Sequence, residues 1–351
     1  MKERLLAHFR EQAIFCTEYG SPFTGQLISC FADDLEGEGP VAALTRDWTT
    51  NPRADVVALR LAGALHAAAL TGRDAALAAG YPAANPNWDM GEIWPLARAF
   101  LAREPDWVGQ FLRYAPQTNE TRRAIGLLAG FLEFAQQWQG PMDMLEIGAS
   151  AGLNMNWDRF AYKTATWSWG GASAVVIDTD WQAATPAIEA RPSVRGRSGC
   201  DINPLDIRDE GERQRLKSYI WPDQADRLAR FDGAVALALE HDIRVERADA
   251  AAWIADKLAK RARDAATIIY HSVFLQYPPR DTRAAIVRAI TEAGAEAVSS
   301  APLAWVRLEP EAVTDGVENG LRFVIDLTTW PGGVRRKLGF TDGHVRTVFA
   351  A

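Results

Sequence analysis

A chain of 351 residues is longer than one ordinary hydrophobic core, and implies two packed units or one large α/β domain with an appendage. Hydrophobic residues make up 48% and charged residues 24%, ordinary for a globular enzyme; a formal net charge of -7 with no block of like charge argues against a nucleic-acid groove. Cys16, Cys30 and Cys200 form no Cys-x-x-Cys pair, which fits a reducing cytoplasm and offers no zinc site.

The amino terminus, Met1-Lys2-Glu3-Arg4-Leu5-Leu6, is charged and then amphipathic, so no signal peptide is expected. Val56 to Leu70 is Ala-rich but is interrupted by Arg60 and His66, and is too short to span a membrane. The expected location is the cytoplasm, with no membrane partner. Up to residue 139 the apolar spacing is helical. Leu5, Phe9 and Ala13 mark one helix and Leu61, Leu65 and Ala68 another. Ile125, Leu128, Leu132 and Ala135 mark a third, closed by Gly140-Pro141. Asn51-Pro52, Asn85-Pro86 and Ala115-Pro116 punctuate these segments, and no alternating run of strand length appears.

The character changes at Met142. Met144-Leu145-Glu146-Ile147 is an apolar run that ends in an acid and a small-residue turn, Gly148-Ala149-Ser150-Ala151-Gly152. Further strands are expected at Ile243 to Arg247, Thr267 to Tyr270, Leu303 to Leu308 and Leu321 to Leu327. Helices are expected around Trp253, Ile254 and Leu258, and from Asp281 to Ile290. Phe340 to Phe349, around Asp342-Gly343, reads as a final strand or hairpin arm. Such alternation implies βαβ units and a mainly parallel sheet.

Small residues after a strand allow a sharp turn with exposed amides. A helix starting near Gly152 would direct its positive end at a ligand's anionic group. Glu146 would sit at the carboxyl end of its strand, where open α/β sheets bind ligands. The bland alternative is a plain strand-to-helix turn. The same residues also spell Gly148-x-Ser150-x-Gly152, the nucleophile-elbow pattern of an α/β-hydrolase-type esterase using Ser150. His271 and His344 lie downstream, but the preceding 140 residues look helical, which fits an elbow scaffold poorly.

At this point the chain resembles the class I S-adenosylmethionine-dependent methyltransferases, whose first motif is an acid followed by Gly-x-Gly-x-Gly. Glu146, Gly148 and Gly152 match it, and Ser150 replaces the middle glycine. More closely, it resembles an uncharacterised bacterial family, domain of unknown function 2332. That likeness runs through Thr118-Asn119-Glu120 with Arg123, Leu145 to Asn154, Gly199-Cys200-Asp201 with Pro204 and Asp206, and Trp221-Pro222-Asp223-Gln224 with Arg227.

The methyltransferase resemblance implies a doubly wound, Rossmann-like α/β fold: a seven-stranded sheet with an antiparallel last strand, preceded by an all-helical amino-terminal domain. The expected division is 1–139 for the helical lid or substrate domain and 140–351 for the cofactor-binding domain, with an insertion around 162–195 where Trp167, Trp169 and Val175-Val176-Ile177 could make a hairpin. S-adenosylmethionine is the implied cofactor, and the expected activity is methyl transfer to an unknown small or medium-sized acceptor. A non-catalytic S-adenosylmethionine-binding or regulatory protein is the alternative from another class.

The resemblance also implies roles for single residues. A second-strand acid would hold the ribose hydroxyls; Asp201 is the choice, with Asp178 competing on spacing and a turn or cap as the bland reading. Asp249 would meet the adenine amino group, or simply cap a helix. His271 would face the substrate as a general base, or be a core histidine, with Gln276 and Tyr277 as weaker companions. Asn119, Glu120 and Arg123 would cap a helix or reach the cofactor's amino-acid end. Gly148, Ala149, Ser150 and Gly152 would form the cofactor loop. Trp221, Asp223 and Gln224 sit at a helix junction where packing is the usual duty. His8, His66, His241 and His344 show no ligand spacing, so no metal is expected.

Overall fold

The structure is a computed structural model, and it describes residues 1–317, 320 and 322–351. Leu321, expected to open a strand, lies outside the described residues. In chain order the first helices are α1 (Lys2–Glu18), α2 (Pro22–Glu36), α3 (Pro40–Thr45), α4 (Val57–Leu70), α5 (Ala75–Gly80), α6 (Met90–Arg103), α7 (Pro105–Leu112) and α8 (Arg123–Gln137). Strand β1 (Pro141–Ile147) follows, then a 3-10 helix over Leu153–Arg159 and the short strands β2 (Ala161–Lys163), β3 (Ser168–Trp169), β4 (Val176–Asp178) and β5 (Asp180–Trp181). Then come β6 (Ser193–Asp201), α9 (Glu210–Ser218), α10 (Ala225–Glu240), β7 (Glu246–Arg247), α11 (Ala250–Ala259), β8 (Ala266–Ser272) and α12 (Arg280–Ala295). The chain finishes through β9 (Leu303–Pro310), α13 (Glu311–Thr314), β10 (Phe323–Trp330), β11 (Val334–Thr341) and β12 (Thr347–Phe349). Among the described residues no helix is long and apolar enough to cross a membrane.

The chain divides into two compact units, Met1–Thr118 with Arg208–Ala229, and Asn119–Ile207 with Arg230–Ala351. The first is helical in its described elements. Leu5, Phe9, Ala13 and Cys16 bury one stripe of α1, and Leu61, Leu65 and Ala68 do the same on α4, as their helical spacing requires. Ser21 caps α2, accepting from Thr24 N, and Pro22 stands at the first helical position, where a missing N–H costs nothing. Asp223 accepts from Ser21 Oγ at 2.5 Å and Phe23 N at 2.9 Å, and Gln224 Nε2 donates to Tyr19 O at 3.3 Å. The Trp221–Arg227 segment therefore ties down the α1–α2 junction, and Trp221 itself is buried in this helical core.

The second unit carries a sheet that is nine-stranded among the described residues, in the order β5-β12-β11-β10-β9-β8-β1-β6-β7. The expected seven strands are corrected on two counts. From β9 onward the chain makes an antiparallel meander, β9 to β10 to β11 to β12, because Val334–Thr341, which opens on the exposed, charged run 334–337, forms a strand that this run concealed. The insertion then lends β5 to the far edge, parallel to β12. The half from β7 to β9 is parallel throughout, and the expected strand at Ile243 to Arg247 contracts to Glu246–Arg247. Within the insertion, the hairpin expected between Trp167-Trp169 and Val175-Val176-Ile177 does not form: β3 pairs antiparallel with β2 instead, and β4 adds to the other side of β2 in parallel.

One face of the sheet is covered by α8, which packs against β9, β10 and β8 and so falls with the sheet rather than with the earlier helices. On the other face Trp253, Ile254, Ile286 and Ile290 of α11 and α12 pack on Leu145, Ile147, Ile269 and Trp305. Burial on both faces explains why β8 reads as a continuous apolar run rather than an alternating one.

Candidate functional site

The site is built on the carboxyl ends of the three central strands. From β1 the chain proceeds to β6 and β7 on one side and later to β8 and β9 on the other, so the strand order reverses at β1. In open α/β sheets that is where ligands bind. Glu146, near the end of β1, is opposite Gly199 of β6 and Tyr270 of β8.

Turn geometry dominates the next five residues. Gly148, Ser150 and Gly152 all have positive φ, at 69°, 53° and 75°. At Gly148 a side chain is excluded twice over, because a Cβ there would stand 2.3 Å from the Phe274 ring. Ser150 is a non-glycine residue held in the left-handed region, a conformation costing about 1–2 kcal/mol for a residue with a Cβ. Neighbouring segments hold the loop. Ala149 N donates to Cys200 O at 2.9 Å, and Ser150 N to Asp201 Oδ2 at 3.0 Å. Gly152 N donates to Ala149 O at 2.7 Å, and Leu153 N to Asn119 Oδ1 at 2.9 Å. Asn154 Nδ2 reaches Glu120 O at 3.3 Å.

The α-helix expected near Gly152 is replaced by the 3-10 helix Leu153–Arg159, whose first amide is already capped by Asn119. Asp201 uses one oxygen on the loop and the other on Asn203 N at 2.9 Å, which is the turn role. It keeps further lone pairs, since a carboxylate has about four acceptor sites. Asp178 lies on β4 of the insertion, exposed and 3.5 Å from an Arg122 nitrogen. Asp249 caps α11 through Ala251 N and Ala252 N, both at 3.0 Å. Glu120 Oε1 accepts from Arg122 N at 3.0 Å, and Arg123 Nε donates to Gly343 O at 3.0 Å.

Glu146 is 2% exposed, and its recorded hydrogen bond is from Tyr270 Oη at 3.3 Å. Burial raises its pKa to about 8; the Tyr270 hydrogen bond pulls the other way, and the charge of Asp201 adds to the rise. Burial likewise pushes the Cys200 thiol up to about 12, so it is an inert core group. Ser150 Oγ and Asn154 Oδ1 are buried with no hydrogen-bond partner among the described residues.

His271 does not join this group. It is fully buried, and both ring nitrogens are engaged. Trp305 Nε1 donates to Nε2 at 3.0 Å, and since an indole N–H can only donate, Nε2 must accept. The proton therefore sits on Nδ1, which is 2.6 Å from Glu309 Oε1. A histidine fixed in this way has no free lone pair with which to act as a base, and the core reading applies. Tyr277 is 74% exposed.

Sequence reading missed Tyr270, Glu309 and Trp305. Glu309 carried a usable signal, an acid inside the Leu303–Pro310 strand, which is apolar apart from it and Arg307, because a buried carboxylate requires donors.

The three segments 119–123, 145–154 and 199–206 thus meet at one loop. Residues 7–349 match the family described as "Uncharacterized protein conserved in bacteria (DUF2332)". No curated protein and no solved structure matches the chain.

Proposed function

The chain belongs to the bacterial family DUF2332, and from that premise we propose that it binds S-adenosylmethionine at the Glu146–Gly152 loop and transfers its methyl group to a small or medium-sized acceptor. The observation that carries this reading is the chemistry of the loop. Dinucleotide-binding loops present free amides to a pyrophosphate. Here the amides of Ala149, Ser150, Gly152 and Leu153 are all taken within the protein. What remains near them is acceptor-rich, with the spare lone pairs of Asp201, the unpartnered Asn154 Oδ1 and the buried Glu146. Such a set suits a phosphate-free nucleoside that carries hydroxyls and positive charge better than it suits NAD or ATP.

In this reading Asp201 would accept from the ribose hydroxyls while still holding Ser150 N. Glu146 would face the cationic part of the cofactor, whose approach favours the ionised carboxylate that burial now disfavours. Bound S-adenosylmethionine supplies an electrophilic methyl group. The protein's own contribution is orientation of the acceptor, which needs little machinery beyond positioning, and neither His271 nor Tyr277 is required as a base.

The test is calorimetry and thermal shift with S-adenosylhomocysteine, S-adenosylmethionine, NAD and ATP. At one hundred times its dissociation constant, S-adenosylhomocysteine is expected to stabilise the fold by about 2.7 kcal/mol. A shift with NAD or ATP, and none with millimolar S-adenosylhomocysteine, overturns the reading. Binding without turnover of any acceptor would leave the regulatory alternative. One observation favours the esterase reading, the positive φ of Ser150, which a nucleophile elbow also shows. Among the described residues no hydrogen-bonding base reaches its Oγ, however, so a fluorophosphonate probe is expected to leave Ser150 unlabelled. Stoichiometric labelling lost in Ser150→Ala would establish the hydrolase instead.

A further inference from the structure

At the other end of the central strands, where β1 and β8 begin, is a cavity of about 310 Å³. That is the low end of the range for small-molecule sites. We infer that it is a binding site for a tetrahedral oxyanion of the phosphate or sulfate class, free or carried on a small molecule. This inference is independent of the methyltransferase reading.

Five cationic side chains line the cavity, Arg195, Arg197, Lys257, Lys260 and Arg261, against one carboxylate, Asp143. Acids flank four of the five. Arg195 Nε donates to Asp143 at 3.0 Å and its Nη1 to Asp264 at 3.1 Å. Arg197 is paired with Asp158 at 2.8 Å, Lys257 with Glu246 at 2.7 Å and Lys260 with Asp256 at 2.5 Å. Cations at a helix carboxyl end also complement its dipole, and Lys257 and Lys260 have that use on α11.

Arg261 has no such account. It is 9% exposed; Nη1 donates to Ala301 O at 2.9 Å, and Nη2 has no hydrogen-bond partner among the described residues. Glu296 is the acid that acts on it from a distance, and Arg263 opposes. A guanidinium does not shed its proton in a protein, so burial leaves it a charged donor seeking an acceptor. Thr267, which also lines the cavity, is 2% exposed, and its Oγ1 is likewise without a partner among the described residues. Two residues that carry unsatisfied donors, a guanidinium arm and a hydroxyl, thus belong to the lining of one small cavity, as does Ser198. An oxyanion satisfies both at once, because each of its oxygens accepts and its charge matches the guanidinium.

The experiment measures calorimetric binding and thermal shift of the full chain with inorganic phosphate, pyrophosphate and ribose 5-phosphate, against chloride at matched ionic strength. One site is expected, with a melting shift that chloride does not reproduce. Tighter binding of ribose 5-phosphate than of inorganic phosphate assigns the site to a carried group, and the reverse order assigns it to the free ion. Thr267→Val keeps the side chain's shape and removes an unsatisfied hydroxyl, so it should fold at least as well as the native protein while binding phosphate about tenfold more weakly. Arg261→Met should abolish binding. If losing the Ala301 contact unfolds that variant, Lys260→Gln, at an exposed position, provides a second test with a weaker loss. An equal shift with chloride, or native phosphate affinity in both Thr267→Val and Lys260→Gln, overturns the site.

Discussion

Glu146 on β1 and Glu309 on β9 are both buried, and they flank the same strand. Adjacent residues of β8 serve them, and adjacent residues in a strand point to opposite faces. Tyr270 turns toward Glu146 and His271 toward Glu309. The solvation of the two acids differs sharply. Glu309 accepts from His271 Nδ1 at 2.6 Å, Phe274 N at 2.8 Å and Leu275 N at 3.1 Å, so it organises the β8–α12 loop. Among the described residues Glu146 accepts one longer hydrogen bond, from Tyr270 Oη at 3.3 Å, and burial dominates its titration. Equal burial therefore does not mean equal purpose. One acid is saturated by its fold, and the other is left with capacity at the switch in strand order.

The largest expected effect tests the saturated acid. Glu309→Ala strands His271 Nδ1–H and two backbone amides in the core, and should cost about 3–5 kcal/mol in urea denaturation. A cost under about 1 kcal/mol would show that Glu309 is no anchor, and the contrast would collapse.

Next comes the pH dependence of Glu146. Its folded pKa of about 8 stands above its ordinary value of 4.5, so between those values the folded state binds a proton that the unfolded state has released. Its contribution is therefore free of penalty below about pH 4.5. Stability is then lost as pH rises toward about 8, at a rate up to roughly 1.4 kcal/mol per pH unit. Glu146→Gln removes that slope and should be the more stable protein at pH 7. Parallel stability–pH curves for the two would show that burial does not govern Glu146.

The acids outside the core should separate more gently. Asp201→Ala frees Ser150 N and is expected to weaken S-adenosylhomocysteine binding by about 1.5–3 kcal/mol. Asp178→Ala, on the exposed β4, should leave calorimetric affinity unchanged. The reverse ranking would move the ligand to the insertion. Smallest of all, Ser150→Gly relieves the left-handed backbone and should raise stability by up to about 1 kcal/mol. A loss instead would mean that the serine side chain contributes more than its strain costs.

Much of this protein could be read directly from its residues, for identifiable reasons. Apolar spacing is a local property, so α1, α4, α8 and α12 follow from it, as do β1, β8 and β9. The small-residue turn was legible because positive φ at three of its positions demands small or permissive residues. Strand β11 was not legible, since it opens on the exposed run Val334-Arg335-Arg336-Lys337, which carries no apolar alternation, although its partners β10 and β12 are its neighbours in the chain. Nor was the closing of the sheet by β5, a two-residue strand whose pairing depends on β12.

For the candidate site the division is sharper. The sequence, read with the family resemblance it carries, named Glu146, Asp201 and Asn119 as residues of interest, because side-chain chemistry and position beside a strand or helix end are written locally. Only the tertiary structure decided what each one touches. It turned Asn119 from a cap of α8 into a clasp on Leu153, and made Asp201 the brace of Ser150. It also retired His271 by placing Trp305 on one nitrogen and Glu309 on the other. Hydrogen-bond saturation depends on residues brought together from distant parts of the chain, and whether a polar group is spent or spare cannot be known until they meet.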